Sequence, residues 1–240
     1  MFVIILDESR DTEVEIVSGD NLEIKLSVPK DITLLKSVDV SDLCYSVCSY
    51  KGKVYAGCRG GHVDMIDENN KITKSFIKVD YTVTGVRVYN DKLYLLVYTG
   101  GEPSFKVSIY NLSGGFIKTW VHKGDNCDAV NMFTVFSNQV IIPDRTNKRL
   151  TIYSLDGDII KYIPLAISAS TTSICSLGTD SVIVTDYESS KVFRVNISTS
   201  ELLWTSTAVA NPQSVTCYGE DYLLVGSSEK LSLLDVSTGE

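Results

Sequence analysis

Few side chains in this chain can do covalent or metal chemistry, and their spacing decides how they are read. Only two of the 240 residues are histidines, His62 and His122, and they fall in different repeats of the pattern described below. Two such residues cannot supply the three-histidine set of a catalytic zinc centre. His62 also occupies a slot that elsewhere holds Lys106, Arg149, Lys191 and Lys230, so it reads as a basic residue flanking a strand. The six cysteines (Cys44, Cys48, Cys58, Cys127, Cys175 and Cys217) include no C-x-x-C pair. Scattered in this way they read as free thiols of a reducing compartment, which predicts a cytoplasmic protein. Cys48 and Cys217 share one position of a short strand, with Cys175 one residue off it, and read as small core residues.

Asp144 and Asp186 end equivalent strands, where capping a turn outweighs holding a cation. Asn111 and Asn196 head N-x-S sequons but share a turn position, which explains them without glycosylation. Gly60-Gly61 and Gly100-Gly101 lead into no helix, so neither pair is a phosphate cradle. No catalytic residue, no metal ligand and no cofactor is therefore predicted. The net charge of −8 and a pI near 4.9 set nucleic acid behind protein as a partner, without excluding it. No apolar run approaches the roughly 18 residues of a membrane span, so no membrane partner is expected. The opening MFVIILDESR lacks the basic start and cleavage site of a secretory signal.

What must position these residues is a repeat. Val14, Val54, Leu93, Val140, Val182 and Leu223 mark one apolar strand type, at gaps of 40, 39, 47, 42 and 41 residues. Leu22, Val63, Val107, Leu150, Val192 and Leu231 mark the strand after it, at gaps of 41, 44, 43, 42 and 39. A shorter strand precedes the pair, marked by Val47, Val86, Met132, Ile174 and Val215 with Ser, Gly or Asn before each. A fourth follows, in runs such as ITKSFIK, FIKTWV and LLWTST. Four strands per roughly 42 residues, with strand runs apolar on both faces, is the pattern of a propeller blade. The expectation is all-β: one six-bladed β-propeller domain of four-stranded antiparallel blades over 1–240. Blade limits fall near 2–42, 43–81, 82–125, 126–169, 170–211 and 212–240, the last blade lacking its outer strand.

The run IIPDRTNKRLTIYSLDGDII resembles the NHL repeat, with Asp144, Asn147, Arg149 and Gly157 at its marked positions. The fifth repeat is similar through Asp186 and VFRVN, and the whole looks like the propeller of tripartite-motif proteins. VFRVNISTSELLW and LSLLDVSTGE are also similar to quinoprotein-like and WD-type repeats. The resemblance implies a platform for protein partners, in some relatives the substrate-recognition part of a ubiquitin ligase and in some an RNA-binding surface. The cysteine- and histidine-rich ligase modules have no counterpart in these residues, so ligase chemistry would belong elsewhere in the protein. The alternative from another class is a propeller enzyme, a lyase or lactonase with a metal in its channel.

The binding face is placed from the topology. Loops after the second strand and after the fourth share one end of a propeller, and gather Arg59, His62, Tyr98, Lys106, Lys123, Arg145, Lys148, Arg149, Tyr187 and Lys191. The opposite end gathers Asp7, Glu8, Asp11, Asp67, Glu68, Asp156, Asp158, Asp180, Glu220 and Asp221, giving loop charges of roughly −2 and −9. Arg and Tyr at loop tips are hot-spot chemistry, which puts the partner on the first face. One residue tests the register. Arg194 stands where other repeats have Ile24, Met65, Ile109, Ile152 and Leu233, so its stem must be covered and its head must meet a carboxylate or carbonyls.

Overall fold

The computed structural model describes residues 40, 42–69, 71–101, 104–123, 133–168, 171–228 and 230–240. They form β-strands in five antiparallel sheets, and no helix among them is long and apolar enough to cross a membrane. The first sheet is β1 (Cys44–Tyr50), β2 (Lys53–Cys58), β3 (His62–Ile66) and β4 (Ile72–Lys78), hydrogen-bonded in that order. The second repeats it with β5 (Thr82–Tyr89), β6 (Lys92–Tyr98), β7 (Phe105–Asn111) and β8 (Phe116–Val121). The third is β9 (Thr134–Phe136), β10 (Gln139–Asp144), β11 (Arg149–Ser154) and β12 (Ile159–Pro164). The fourth is β13 (Thr171–Leu177), β14 (Ser181–Asp186), β15 (Lys191–Asn196) and β16 (Leu202–Ser206). The fifth has three strands, β17 (Pro212–Tyr218), β18 (Tyr222–Ser227) and β19 (Leu231–Asp235).

The described blades number five, not the six that the repeat predicts. The extra blade was counted from apolar runs such as EVEIV and LEIKLS, and it lies outside the described residues apart from residues 40 and 42. Periodic apolar runs show a capacity to pair; a blade is counted where its strands are hydrogen-bonded into a sheet.

The chain divides into two compact units, one of residues within Ser37–Thr146 and Thr151–Lys161, the other within Asn147–Leu150 and Tyr162–Glu240. In the first unit β5 lies against β1 and β2. The residue before each marker of the short strands explains itself here. Ser46 Oγ accepts a 3.1 Å hydrogen bond from the amide of Val86 in the next sheet. Gly85 leaves room for the Phe133 ring, since a β-carbon on it would stand 2.7 Å from Cε1. Tyr55, Val83, Val86, Leu93, Leu95 and Val97 fill the space between the first two sheets. Tyr94, Val107, Phe133, Ile142 and Tyr153 fill the next. In the second unit β17 lies against β13 and β14. The amide of Val215 donates to Ser173 Oγ at 3.4 Å, repeating the Val86–Ser46 bond.

An aromatic ring in an outer strand backs onto a glycine in the last turn of the following sheet. A β-carbon on Gly157 (φ +89°) would stand 2.5 Å from Trp120 Cγ, and one on Gly239 (φ +77°) would stand 2.9 Å from Trp204 Cε3. Phe76 meets Gly114 in the same way, with Cζ at 3.4 Å from the added atom. Only glycine offers both the left-handed backbone and the flat contact these rings need. Arg194 behaves as its slot demands: it is half-buried, and its Nη1 donates to the Val236 carbonyl at 2.9 Å. Trp204 Nε1 donates to the same carbonyl, also at 2.9 Å.

Candidate functional site

In the first unit the turn between β2 and β3 is stitched to the segment that leads into β5. Gly61 (φ +73°) donates its amide to the Cys58 carbonyl at 3.3 Å and accepts from the Val79 amide at 2.8 Å. Thr82 Oγ1 donates to the Arg59 carbonyl at 3.0 Å. A second turn follows β6, closed by a 2.9 Å bond from the Thr99 amide to the Ser104 carbonyl. The Tyr98 and Phe105 rings meet there at 5.1 Å between centroids. Between these segments lies a cleft of about 390 Å³, walled by Arg59, Tyr81 and Tyr98 with Asp80 at its side. Tyr81 is 45% exposed and Tyr98 39%, and Lys106 Nζ stands 5.3 Å over the Tyr81 ring.

Of the residues placed on the face from sequence, the structure brings Arg59 and Tyr98 into one cleft and Lys106 beside it. His62 is half-buried at the foot of the same turn, and Arg145 is partly exposed at the end of β10 beside the buried Asp144. Neither lines the cleft. The others, Lys123 apart, belong to the second unit. Arg149 is stacked 3.8 Å over the Tyr162 ring, and Lys148 is exposed with its carbonyl accepting from Leu165. Tyr187 is exposed, and its carbonyl holds Asn211 Nδ2 at 3.1 Å. Lys191 is half-buried opposite Asp186 in the β14–β15 pair. Tyr81 had no signal in sequence, because it lies between two sheets and not at a repeated slot.

The other groups singled out by chemistry resolve into structural roles, with one exception. Asp186 is buried and caps a loop, accepting from the Ser168 amide at 2.6 Å and from the Ser168 hydroxyl. Asn111 Oδ1 accepts from the amides of Ser113 and Gly115, and Asn196 Oδ1 from that of Thr199, so both sequon asparagines build turns. His122 is buried with Nδ1 2.7 Å from the Tyr153 hydroxyl. The described cysteines, Cys44, Cys48, Cys58, Cys175 and Cys217, are free thiols; Cys127 lies outside the described residues.

The exception is at the start of β3. The sulfur of Cys58, a ring nitrogen of His62 and a carboxylate oxygen of Asp64 all lie within 4.8 Å of one another. His62 Nε2 is 3.7 Å from Asp64 Oδ1, which also accepts a 2.8 Å bond from the Ser75 amide. Cys58 and Asp64 are wholly buried. Burial, helped by the nearby Asp64 and Cys44, pushes the Cys58 thiol up to about 12. The signal in sequence was the spacing Cys-x₃-His-x-Asp around a two-glycine turn. It was masked because other sheets carry Val, Asp or Ser in the Cys58 slot and Lys or Arg in that of His62.

Geometry of this kind recurs in solved structures. The WD40 propeller domain of Doa1 superposes with a TM-score of 0.63 at 11% identity, over 85% of this chain and 68% of that one. The fold is that of a β-propeller. Virginiamycin B lyase from Staphylococcus aureus superposes with a TM-score of 0.65 at 17% identity, over 82% of this chain and 68% of the lyase. The computationally designed Ika8 protein gives 0.59 at 12% identity, over 82% of this chain, which spans 59% of its length. No protein-family model and no curated protein sequence matches the chain. The propeller class is thereby shown, and the narrower NHL and tripartite-motif resemblance is not.

Proposed function

We propose that this propeller is a non-enzymatic, cytoplasmic binding platform for a protein partner, and that the first unit grips the partner at the cleft between Arg59 and Tyr98. The observation that carries the reading is the pair of tyrosines left partly open beside two cationic side chains. Tyr81 and Tyr98 each expose more than a third of their surface, with Arg59 across the cleft and Lys106 behind Tyr81. Large, stiff aromatic rings next to Arg or Lys supply most of the energy in protein interfaces. Rigid sheets holding short loops supply the preorganisation that makes such a patch effective. The cleft has room for a partner's side chain, and Asp80 offers it an acceptor.

The finer reading, in which the platform selects substrates for a ubiquitin ligase, rests on the NHL-like run from Asp144 to Gly157. A photo-crosslinking residue at Tyr98 is the test. Cells expressing it should yield one dominant crosslinked protein, lost on adding Arg59→Ala and Tyr81→Ala together. A crosslinker at Asp67, on the opposite end of the first sheet, should give none. Equal crosslinking from both positions would place the partner elsewhere. If the captured protein's ubiquitylation does not depend on Tyr98, the ligase reading falls and the platform reading stands.

A further inference from the structure

We propose that Cys58, His62 and Asp64 form a binding site for one divalent transition-metal ion of the zinc type. All three donors come from a single hairpin. Cys58 is the register partner of His62, and Ala56 that of Asp64. Residues opposite one another share a face of the sheet, as do alternate residues along a strand. The thiol, the imidazole and the carboxylate therefore project to the same side at the end of β2 and the start of β3. Their ligand atoms already lie within 4.8 Å of each other, with His62 Nε2 and Asp64 Oδ1 at 3.7 Å. A tetrahedral ion with bonds of about 2.0–2.3 Å holds its ligands roughly 3.3–3.8 Å apart. Closing the site thus needs side-chain movements of about 1 Å.

The donor set selects the ion. One sulfur, one imidazole nitrogen and one carboxylate oxygen suit zinc or cobalt, whereas magnesium and calcium take oxygen ligands throughout. Three protein ligands leave a fourth position for water. The Cys58 and Asp64 side chains are sealed from solvent, and the 13% exposure of the His62 side chain gives the ion its approach. A carboxylate able to support the imidazole lies near its other nitrogen. Asp42 Oδ2 and His62 Nδ1 both crowd Gly60, where an added β-carbon would stand 2.9 and 3.2 Å from them. A carboxylate on the far side of a metal-binding imidazole fixes the ring and raises its basicity. On binding, the Cys58 thiol exchanges its proton for the metal and the proton leaves to solvent. The site lies beyond the partner-binding role, although an ion there would pin the turn that carries Arg59.

The test uses the purified, metal-stripped chain, titrated with cobalt(II) and then zinc(II). One equivalent of cobalt should give the intense visible bands of a tetrahedral ion and a thiolate-to-cobalt charge-transfer band, and zinc should displace it with release of the colour. His62→Lys should weaken binding by more than about 100-fold, beyond the 10–100-fold typical of losing an outer partner, without loss of fold. That slot holds Lys106, Arg149 and Lys191 in other sheets. Cys58→Ser should abolish the charge-transfer band, and Cys48→Ser, at the other end of β1, should change nothing. A cobalt complex without a charge-transfer band, or unchanged binding by His62→Lys and Cys58→Ser, overturns the site. So does loss of binding in Cys48→Ser.

Discussion

Gly157→Ala should be among the most damaging single substitutions in the first unit, and the structure gives its size in two parts. Gly157 sits at φ +89° in a turn fixed by bonds from its own amide to the Ser154 carbonyl and from the Ser154 amide to that of Asp158. A left-handed conformation costs a residue with a β-carbon about 1–2 kcal/mol. The new methyl would also stand 2.5–2.6 Å from Trp120 Cγ and Cδ2, and overpacking of this kind costs about 1–3 kcal/mol. Trp120 has little room to retreat, because its ring already lies 5.0 Å from that of Tyr153 between ring centroids. The total is about 2–5 kcal/mol, or a fall in Tm near 10 °C for a chain of this length. Gly100→Ala separates the two parts: Gly100 also has positive φ, at +75°, but nothing lies within 4 Å of its added β-carbon. Only the first, conformational part of the loss should appear there. Guanidinium unfolding followed by Trp120 fluorescence, in a Trp204→Phe background, reads both variants. Equal losses for Gly157→Ala and Gly100→Ala would refute the clash. So would a Trp120→Ala, Gly157→Ala double variant, followed by far-ultraviolet circular dichroism, whose loss equals the sum of the single losses, because contacting residues must couple.

Arg194→Met should be within about 1 kcal/mol of the parent in urea unfolding, since it removes a half-buried charge and matches the Met65 slot, whereas Arg194→Ala should cost about 2 kcal/mol or more through lost packing. Ser46→Ala should destabilise by about 1–2 kcal/mol, because it leaves the buried Val86 amide without its acceptor; Ser173→Ala should do the same through Val215. The Ser237 hydroxyl and amide hold the Asp235 carboxyl below its usual range. That contribution is therefore complete above the ordinary carboxylate pKa and is lost as pH falls through the depressed one. Ser237→Ala should move the Asp235 titration, followed by NMR, upward.

The strands were legible because their residues repeat a physical requirement. Val54, Leu93, Val140, Val182 and Leu223 each stand second in a strand, and the burial of β10 and β14 on both faces shows why the alternation normal to half-exposed strands is missing. Arg194 was legible for the same reason, since a misfit in a periodic slot declares itself. The Cys58, His62 and Asp64 cluster was not, because it depends on the hairpin register that joins the three, and His62 alone was explained by its slot of basic residues. Tyr81 escaped because connections between sheets carry no period. The contact of Trp120 with Gly157 was hidden differently: a glycine in a turn is sufficiently explained by its backbone, and nothing in sequence says that a ring will lie against it.

The ring-on-glycine contacts all point one way along the chain. Phe76 precedes Gly114, Trp120 precedes Gly157, and Trp204 precedes Gly239. During synthesis each aromatic therefore leaves the ribosome about 35 to 40 residues before the glycine that will cover it, an interval of a few seconds at usual elongation rates. After β4, β8 and β16 the growing chain ends in a sheet whose outer ring is still bare, and that ring is where the next sheet must settle. Assembly is thus ordered by translation, and a pause between a tryptophan and its glycine would prolong the life of an exposed, adhesive surface.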